Sequence, residues 1–95
     1  MIKIKLLSDS ITMSGHAEYD EYGKDIVCAA ASSILTTTVN AIFMLENETI
    51  TYENKDDTFS LRILKHTHTT DTLIENMMHL MEDLENQYPE NIRIK

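Results

Sequence analysis

Alternating apolar and polar side chains predict β-strands in several parts of the chain. In IKIKL, residues 2–6, isoleucine and leucine alternate with lysine, a period of two that is typical of a strand with one buried face. The same reasoning predicts further strands at residues 11–14, 49–53, 59–63 and 92–94. Polar turn residues between the first two strands and between the third and fourth predict two hairpins.

Helical spacing of apolar residues predicts two helices. The first, from residue 25 to about 47, is apolar on nearly all sides, so more than one neighbour must bury it. The second, from about 71 to 87, ends before Pro89, and its methionines are interpreted as core residues. Its predicted inner side contains Leu73, Ile74, Met77, Met78, Leu80, Met81 and Leu84.

The resulting order is β-β-α-β-β-α-β. We therefore predict an α+β fold in two layers, with both helices on one face of a mainly antiparallel sheet. No Gly-rich, Pro-rich or Ser-rich linker interrupts the 95 residues, so residues 1–95 should form a single domain.

Amino-acid composition indicates which partners and which cellular location to expect. With 8 Lys+Arg against 16 Asp+Glu the net charge is −8, which disfavours nucleic acid and favours a basic partner. No apolar run approaches the length of a membrane span and no secretion signal stands out, so we expect no membrane partner. One cysteine excludes an intramolecular disulfide and fits a reducing, cytoplasmic location.

Candidate chemistry is concentrated between residues 15 and 28. This window contains both glycines, the single cysteine, Cys28, and one of the four histidines, His16. Cys28 should lie in the first turn of the first helix, where unpaired amides and the helix dipole stabilise a thiolate. A thiolate and an imidazole are the minimal pair for attack on a carbonyl. The alternative, a small buried hydrophobic cysteine, stays open on spacing alone.

Two segments of the window, GHA at residues 15–17 and YGKDIVCAAAS at 22–32, resemble the signature of the ribosomal-processing cysteine protease family, Prp. The resemblance extends, less specifically, over the whole chain. It implies a cysteine endopeptidase that removes the N-terminal extension of large-subunit ribosomal protein twenty-seven. The family's substrates have an apolar, aromatic-rich segment at the cut and a strongly basic body.

The resemblance also assigns individual residues. It places the nucleophile at Cys28 and the catalytic histidine at His16. It places the motif aspartate at Asp25, the motif serine at Ser32 and the first glycine of a mobile loop at Gly15. Asp25 is equally well explained as a helix cap, and Ser32 as a serine that bonds its own helix backbone.

The loop at residues 17–24 is expected to close over the substrate as a lid, with glycines as hinges at its ends. Tyr19 and Tyr22 either shape a substrate pocket or pack the loop down. Replacing Gly15 by alanine should then slow turnover more than it changes stability. Glu18 departs from the family pattern, where a small residue is expected, as does Ala31, where valine is common.

The remaining histidines are interpreted as non-catalytic. His66 and His68 form a His-x-His pair that could be half of a metal site, but no matching third and fourth ligands accompany them. We interpret both as exposed loop residues after the fourth strand, and His79 as a surface residue. Two glycines cannot supply a phosphate-binding loop, so we predict no metal and no cofactor.

Two other classes of function remain as alternatives. A non-catalytic, ribosome-associated binding module would have Cys28 buried and His16 remote from it. A thiol redox sensor would need an exposed thiolate but no histidine partner.

We also expect a homodimer. One sheet cannot cover all the apolar residues of the first helix, and the surplus should form an interface with a second copy. The resemblance implies dimers as well. The residues that carry this expectation are Ile34, Leu35, Val39, Ile42 and Phe43.

Overall fold

The computed structural model describes residues 1–15 and 25–95, the side chain of Asp25 excepted. Five strands and two helices follow one another in the predicted order, which confirms the fold class. The elements are β1 Ile2–Leu6, β2 Ser10–Ser14, α1 Asp25–Leu45, β3 Ile50–Lys55, β4 Thr58–Ile63, α2 His68–Gln87 and β5 Ile92–Ile94.

The strands form one sheet in the order β3-β4-β2-β1-β5. Both predicted hairpins are present, β1 with β2 and β3 with β4, and β2 also pairs with β4 in antiparallel register. Only β5 runs parallel to its neighbour, β1, so the sheet is mixed and mainly antiparallel.

Both helices lie on one face of the sheet and enclose the core with it. Along α1, buried residues recur every three or four positions, from Val27 through Leu35 to Ile42. From α2, Met77 and Met81 are almost completely buried, which confirms that the methionines are core residues. Leu80 was expected on the inner side, but 41% of it is exposed, because the buried stripe of α2 runs through Ile74, Met77, Met81 and Leu84 and leaves Leu80 beside it.

Several boundaries differ from the prediction by one to three residues, most clearly at the β3–β4 turn and at the start of α2. The β3–β4 turn consists of Asp56 and Asp57 alone, both with positive φ (50° and 63°), as a tight two-residue hairpin requires. The strands are therefore longer than predicted. α2 begins three residues early, at His68, because the side chain of Thr67 caps it by accepting a hydrogen bond from the Thr70 amide. His68 is thus a helical residue and not a loop residue.

A polar network joins the end of α1 to the start of α2. The Glu46 carboxylate accepts hydrogen bonds from the hydroxyls of Thr67 and Thr70. Thr70 is fully buried, and its hydroxyl lies 2.7 Å from that of Thr49. The hydrogen bond from Thr67 holds the pKa of Glu46 below its ordinary 4.5. The network fixes the helix pair at the end of the molecule remote from Cys28.

The expectation about membrane-span length is wrong for α1. Ile26–Leu45 is long and apolar enough to cross a membrane by length and composition, because serines and threonines, not charged residues, interrupt its apolar positions. In the fold, however, α1 is the core helix, packed on the sheet and α2. The absence of a membrane partner stays a prediction.

Candidate active site

A cleft opens where the N-terminal turn of α1 meets the sheet. Its volume is about 170 Å³, which suits one or two side chains of a peptide better than a whole small-molecule ligand. Three structural parts form it: the start of α1, the ends of β1 and β2, and the β3–β4 hairpin. Its lining residues are Ile2, Met13, Gly15, Cys28, Ser32, Asn54, Asp57 and Phe59.

Cys28 is the fourth residue of α1 and is half-buried against the core. Side chains on a helix lean toward its N-terminus, so the thiol lies on the side of the unpaired first-turn amides. Ser32, one turn later, lines the same cleft. A cysteine that opens onto a cleft at a helix N-terminus is placed for nucleophilic chemistry, which a fully buried cysteine is not.

Gly15 directly follows β2 and lines the cleft. Its backbone has a conformation that only glycine adopts easily. Its φ is +90°, and a Cβ built on it would lie 2.4 Å from the carbonyl oxygen of Met1. This geometry argues against the expectation that alanine at Gly15 would affect turnover more than stability. The exchange would force the Met1 backbone, which directly precedes β1, to move.

The hairpin residues of the cleft were missed by the sequence analysis. Asn54, Asp57 and Phe59 belonged to a predicted turn and strand, with no role at the site. The register brings them there, because β4 pairs with β2 so that Phe59 lies opposite Met13, two residues before Gly15. The consecutive aspartates signalled a tight turn, but no local pattern indicated which strand the hairpin would join.

His16, Tyr19, Tyr22 and the predicted lid at 17–24 lie outside the described residues. Asp25 is the first residue of α1, as predicted, but its side chain is not described. The structure therefore brings together Gly15, Cys28 and Ser32 and leaves the other assignments as predictions.

His66 lies away from the cleft and has a different environment. Its Nε2 is 2.7 Å from Asp9 Oδ1 and its Nδ1 is 2.8 Å from Asp71 Oδ1. Because carboxylates only accept hydrogen bonds, both ring nitrogens must donate, which is the protonated form. The hydrogen bonds with Asp9 and then Asp71 raise the pKa of His66 above its ordinary 6.5. Within residues 1–15 and 25–95, no group of three His, Cys, Asp or Glu side chains could hold a metal ion.

A comparison with known families decides which class of protein this is. The family model described as "Cysteine protease Prp" matches residues 1–93, which is nearly the whole chain. The chain belongs to the Prp cysteine protease family. As a member of this family it is a cysteine protease, and the resemblance seen in the sequence is confirmed.

Similar proteins agree with this assignment. The ribosomal processing cysteine protease Prp of Staphylococcus aureus is 39% identical over 87 residues, which are 88% of this chain and 82% of the relative. Two crystal structures of the S. aureus Prp protease contain a covalently linked product peptide and a substrate peptide. Each matches with a TM-score of 0.85, at 32% and 31% identity, and covers 99% of this chain and 95% of the crystallised one.

Proposed function

We propose that this Prp protease removes the N-terminal extension of large-subunit ribosomal protein twenty-seven, with Cys28 as nucleophile and His16 as general base. The observation that carries the proposal is the half-buried Cys28 in the first turn of α1, opening onto a peptide-sized cleft. Two features support it: relatives named as ribosomal processing proteases, and a structural neighbour covalently linked to a product peptide.

The reaction is ordinary acyl transfer through a thioester. His16 takes the thiol proton as Sγ of Cys28 bonds to the scissile carbonyl carbon, and then gives that proton to the leaving amine as the C–N bond breaks. Water, deprotonated by the same imidazole, then displaces Sγ and releases the carboxylate product. Backbone amides at the start of α1 are the proposed donors to the oxyanion. Gly15, which lines the cleft, directly precedes His16 in the chain, and this short separation supports the proposal of His16 as the base.

The lining of the cleft suits the proposed substrate. Ile2, Met13 and Phe59 give it an apolar part for the apolar, aromatic-rich segment at the cut. Asn54 and Ser32, which also line the cleft, supply polar groups for the peptide backbone. The net charge of −8 attracts the basic body of a ribosomal protein, an effect that raises the association rate more than the affinity.

The direct test uses a synthetic peptide that spans the extension and the first residues of the mature ribosomal protein. Mass spectrometry should detect one cut with wild-type protein and none with Cys28→Ser. A scrambled peptide of the same composition serves as the control for specificity. An uncut precursor peptide under conditions where iodoacetamide still alkylates Cys28 would reject the substrate assignment but not the protease chemistry.

A histidine series tests the general base. His16→Ala should abolish cleavage, whereas His66→Ala, His68→Ala and His79→Ala should each retain it, and a chelator should change nothing. The alkylation rate of Cys28 against pH should change in His16→Ala only. Loss of cleavage with chelator would favour a metal-dependent reaction instead.

The homodimer and the cytoplasmic location also remain proposals. Supporting a dimer, α1 carries no charged residue after Asp25, and Phe43, Met44 and Leu45 at its end are 38%, 86% and 64% exposed. An uncharged helix face that is apolar at its end is a suitable surface for a second copy. Light scattering at micromolar concentration should give twice 10.9 kDa for wild type and a lower mass for Met44→Lys. A monomer in both cases would reject the dimer.

A further inference from the structure

The two faces of the sheet differ sharply in charge. The helices cover the face formed by buried strand residues such as Ile4, Ile11 and Leu61, whereas neither α1 nor α2, the helices of the described residues, covers the opposite face. We define the open face as the outward strand residues Lys3, Lys5, Ser10, Thr12, Ser14, Thr51, Glu53, Lys55, Thr58, Ser60, Arg62 and Arg93. It contains five of the chain's 8 basic residues and one of its 16 acidic residues. Its net charge is thus +4, and the rest of the chain carries −12.

The register makes the open face a continuous surface. Lys3 pairs with both Arg93 and Ser14, and Lys5 pairs with Thr12. Further along, Arg62 lies between Ser10 and Thr51. All five basic side chains are exposed, and none has an acidic partner at salt-bridge distance in the part of the chain that the structure describes. Their charge is therefore available to a ligand.

The chemistry of the open face selects the kind of ligand. Besides its charges its outward side chains are serines and threonines, and Ser10, Thr12, Ser60 and Arg62 line a depression of about 390 Å³. Tyr52 and Leu61 also border this depression, but they pack on the core at the other face of the sheet. Lysine, arginine and hydroxyl groups are the side chains that contact phosphate and sugar. An acidic protein partner would need buried apolar or aromatic anchors, which this face lacks. A second copy placed face to face would oppose two positive surfaces.

We propose that the open face is a docking surface for the sugar-phosphate backbone of RNA. Ribose is favoured over deoxyribose because the hydroxyl rows can bond the 2′-hydroxyl. Without aromatic side chains for base stacking, binding is independent of sequence and weak. The choice of RNA as the ligand rests in part on the proposed ribosomal substrate. The separation of positive charge onto the open face is observed independently of that substrate. The proposal departs from the expectation drawn from net charge, because a total of −8 conceals where the positive charges lie.

The test measures binding of the full chain to a fluorescein-labelled, 20-nucleotide single-stranded RNA by anisotropy between 25 and 200 mM KCl. We expect micromolar or weaker binding with a log–log salt slope no steeper than about −3.5, because each of at most five contacts contributes about −0.7. Lys5→Gln with Arg62→Gln should weaken binding at least tenfold and make the slope shallower by about 1.4. Glu53→Gln should strengthen it.

Matched controls separate this surface from the rest of the molecule. Lys65→Gln removes an exposed basic residue outside the open face and should leave RNA binding unchanged. Amide shifts in an NMR titration should map to β1, β2 and β4. The double variant should still cleave short peptides, because the cleft lies on the helix side of the sheet. A failure of the RNA-binding proposal can therefore be distinguished from a failure of the protease proposal.

Four outcomes of the binding measurements would overturn the proposal. These are no RNA binding at 25 mM KCl, equal losses in Lys65→Gln and the double variant, single-stranded DNA of the same sequence bound as tightly as RNA, and polyglutamate bound more tightly than RNA. Self-association at low salt that the double variant abolishes would assign the face to the acidic surface of a second copy instead.

Discussion

The two ends of α1 show how one helix serves both stability and chemistry. At its C-terminal end the backbone and the Glu46 carboxylate bond to Thr49, Thr67 and Thr70, which ties α1 to the start of α2. At its N-terminal end Cys28 opens onto a cleft. Helix ends leave unpaired backbone groups at both termini. At the C-terminal end the Thr49 hydroxyl donates to the Glu46 carbonyl oxygen, whereas substrate is proposed to use the free amides at the N-terminal end.

This difference between the two ends of α1 predicts which residues control catalysis and which control folding stability. Changes at the cleft end should affect catalysis with little effect on folding, whereas changes at the joined end should affect folding alone. The following variants test that separation, from the largest expected effect to the smallest.

Cys28→Ala should reduce cleavage at least about 1000-fold, because it removes the nucleophile. Its thermal stability should stay close to that of wild type, since alanine favours helix and the thiol is only half-buried. Steady-state cleavage and a thermal melt of the same preparation check both parts. Ser33→Ala, an exposed position on α1, should be unchanged in both. Full activity in well-folded Cys28→Ala would contradict the assignment of the nucleophile.

Gly15→Ala should lower the free energy of unfolding by about 1–3 kcal/mol, because positive φ and the Met1 carbonyl both oppose a Cβ. Among the cleft residues outside the hydrophobic core, this is the one for which we expect a clear folding effect. Ser14→Ala next to it should cost less than about 0.5 kcal/mol. Urea denaturation measures both, and a stable but slow Gly15→Ala protein would restore the hinge interpretation.

Thr70→Val should destabilise the fold by about 1–2 kcal/mol, because the buried Thr49 hydroxyl and the Glu46 carboxylate each lose a partner. Activity per folded molecule should not change. Thr72→Val, exposed on the same helix, is the matched control and should be nearly neutral. Equal destabilisation by the two valines would mean that the effect is one of helix propensity and not of the network.

Replacing His66 by glutamine should have the smallest effect of these variants, seen only as a change in how stability depends on pH. Its raised pKa means that the pairing with Asp9 and Asp71 is fully stabilising below pH 6.5 and is lost as pH rises through the folded-state pKa. Wild type should therefore be more stable than His66→Gln at pH 6 and equal to it at pH 9, by chemical denaturation. Asn76→Gln, a change at an exposed position of α2 that does not titrate, should show no such difference. A gap that widens toward pH 9 would contradict the protonated pair.

The sequence by itself determined the number, type and order of the elements, because period-two and helical patterns are local properties that burial on one side imposes. It also determined the family, through the segment around Cys28, and the core role of the α2 methionines. These features depend on residues close together in the chain, where spacing alone carries the information.

Only the tertiary structure decided which distant residues share a surface. Strand order and register brought Asn54, Asp57 and Phe59 to the cleft of Cys28, and the same register gathered five basic side chains on one face of an acidic protein. A residue's own neighbours in sequence specify which way it faces in a strand. The strand beside it is chosen by the packing of the whole core, which no local pattern contains.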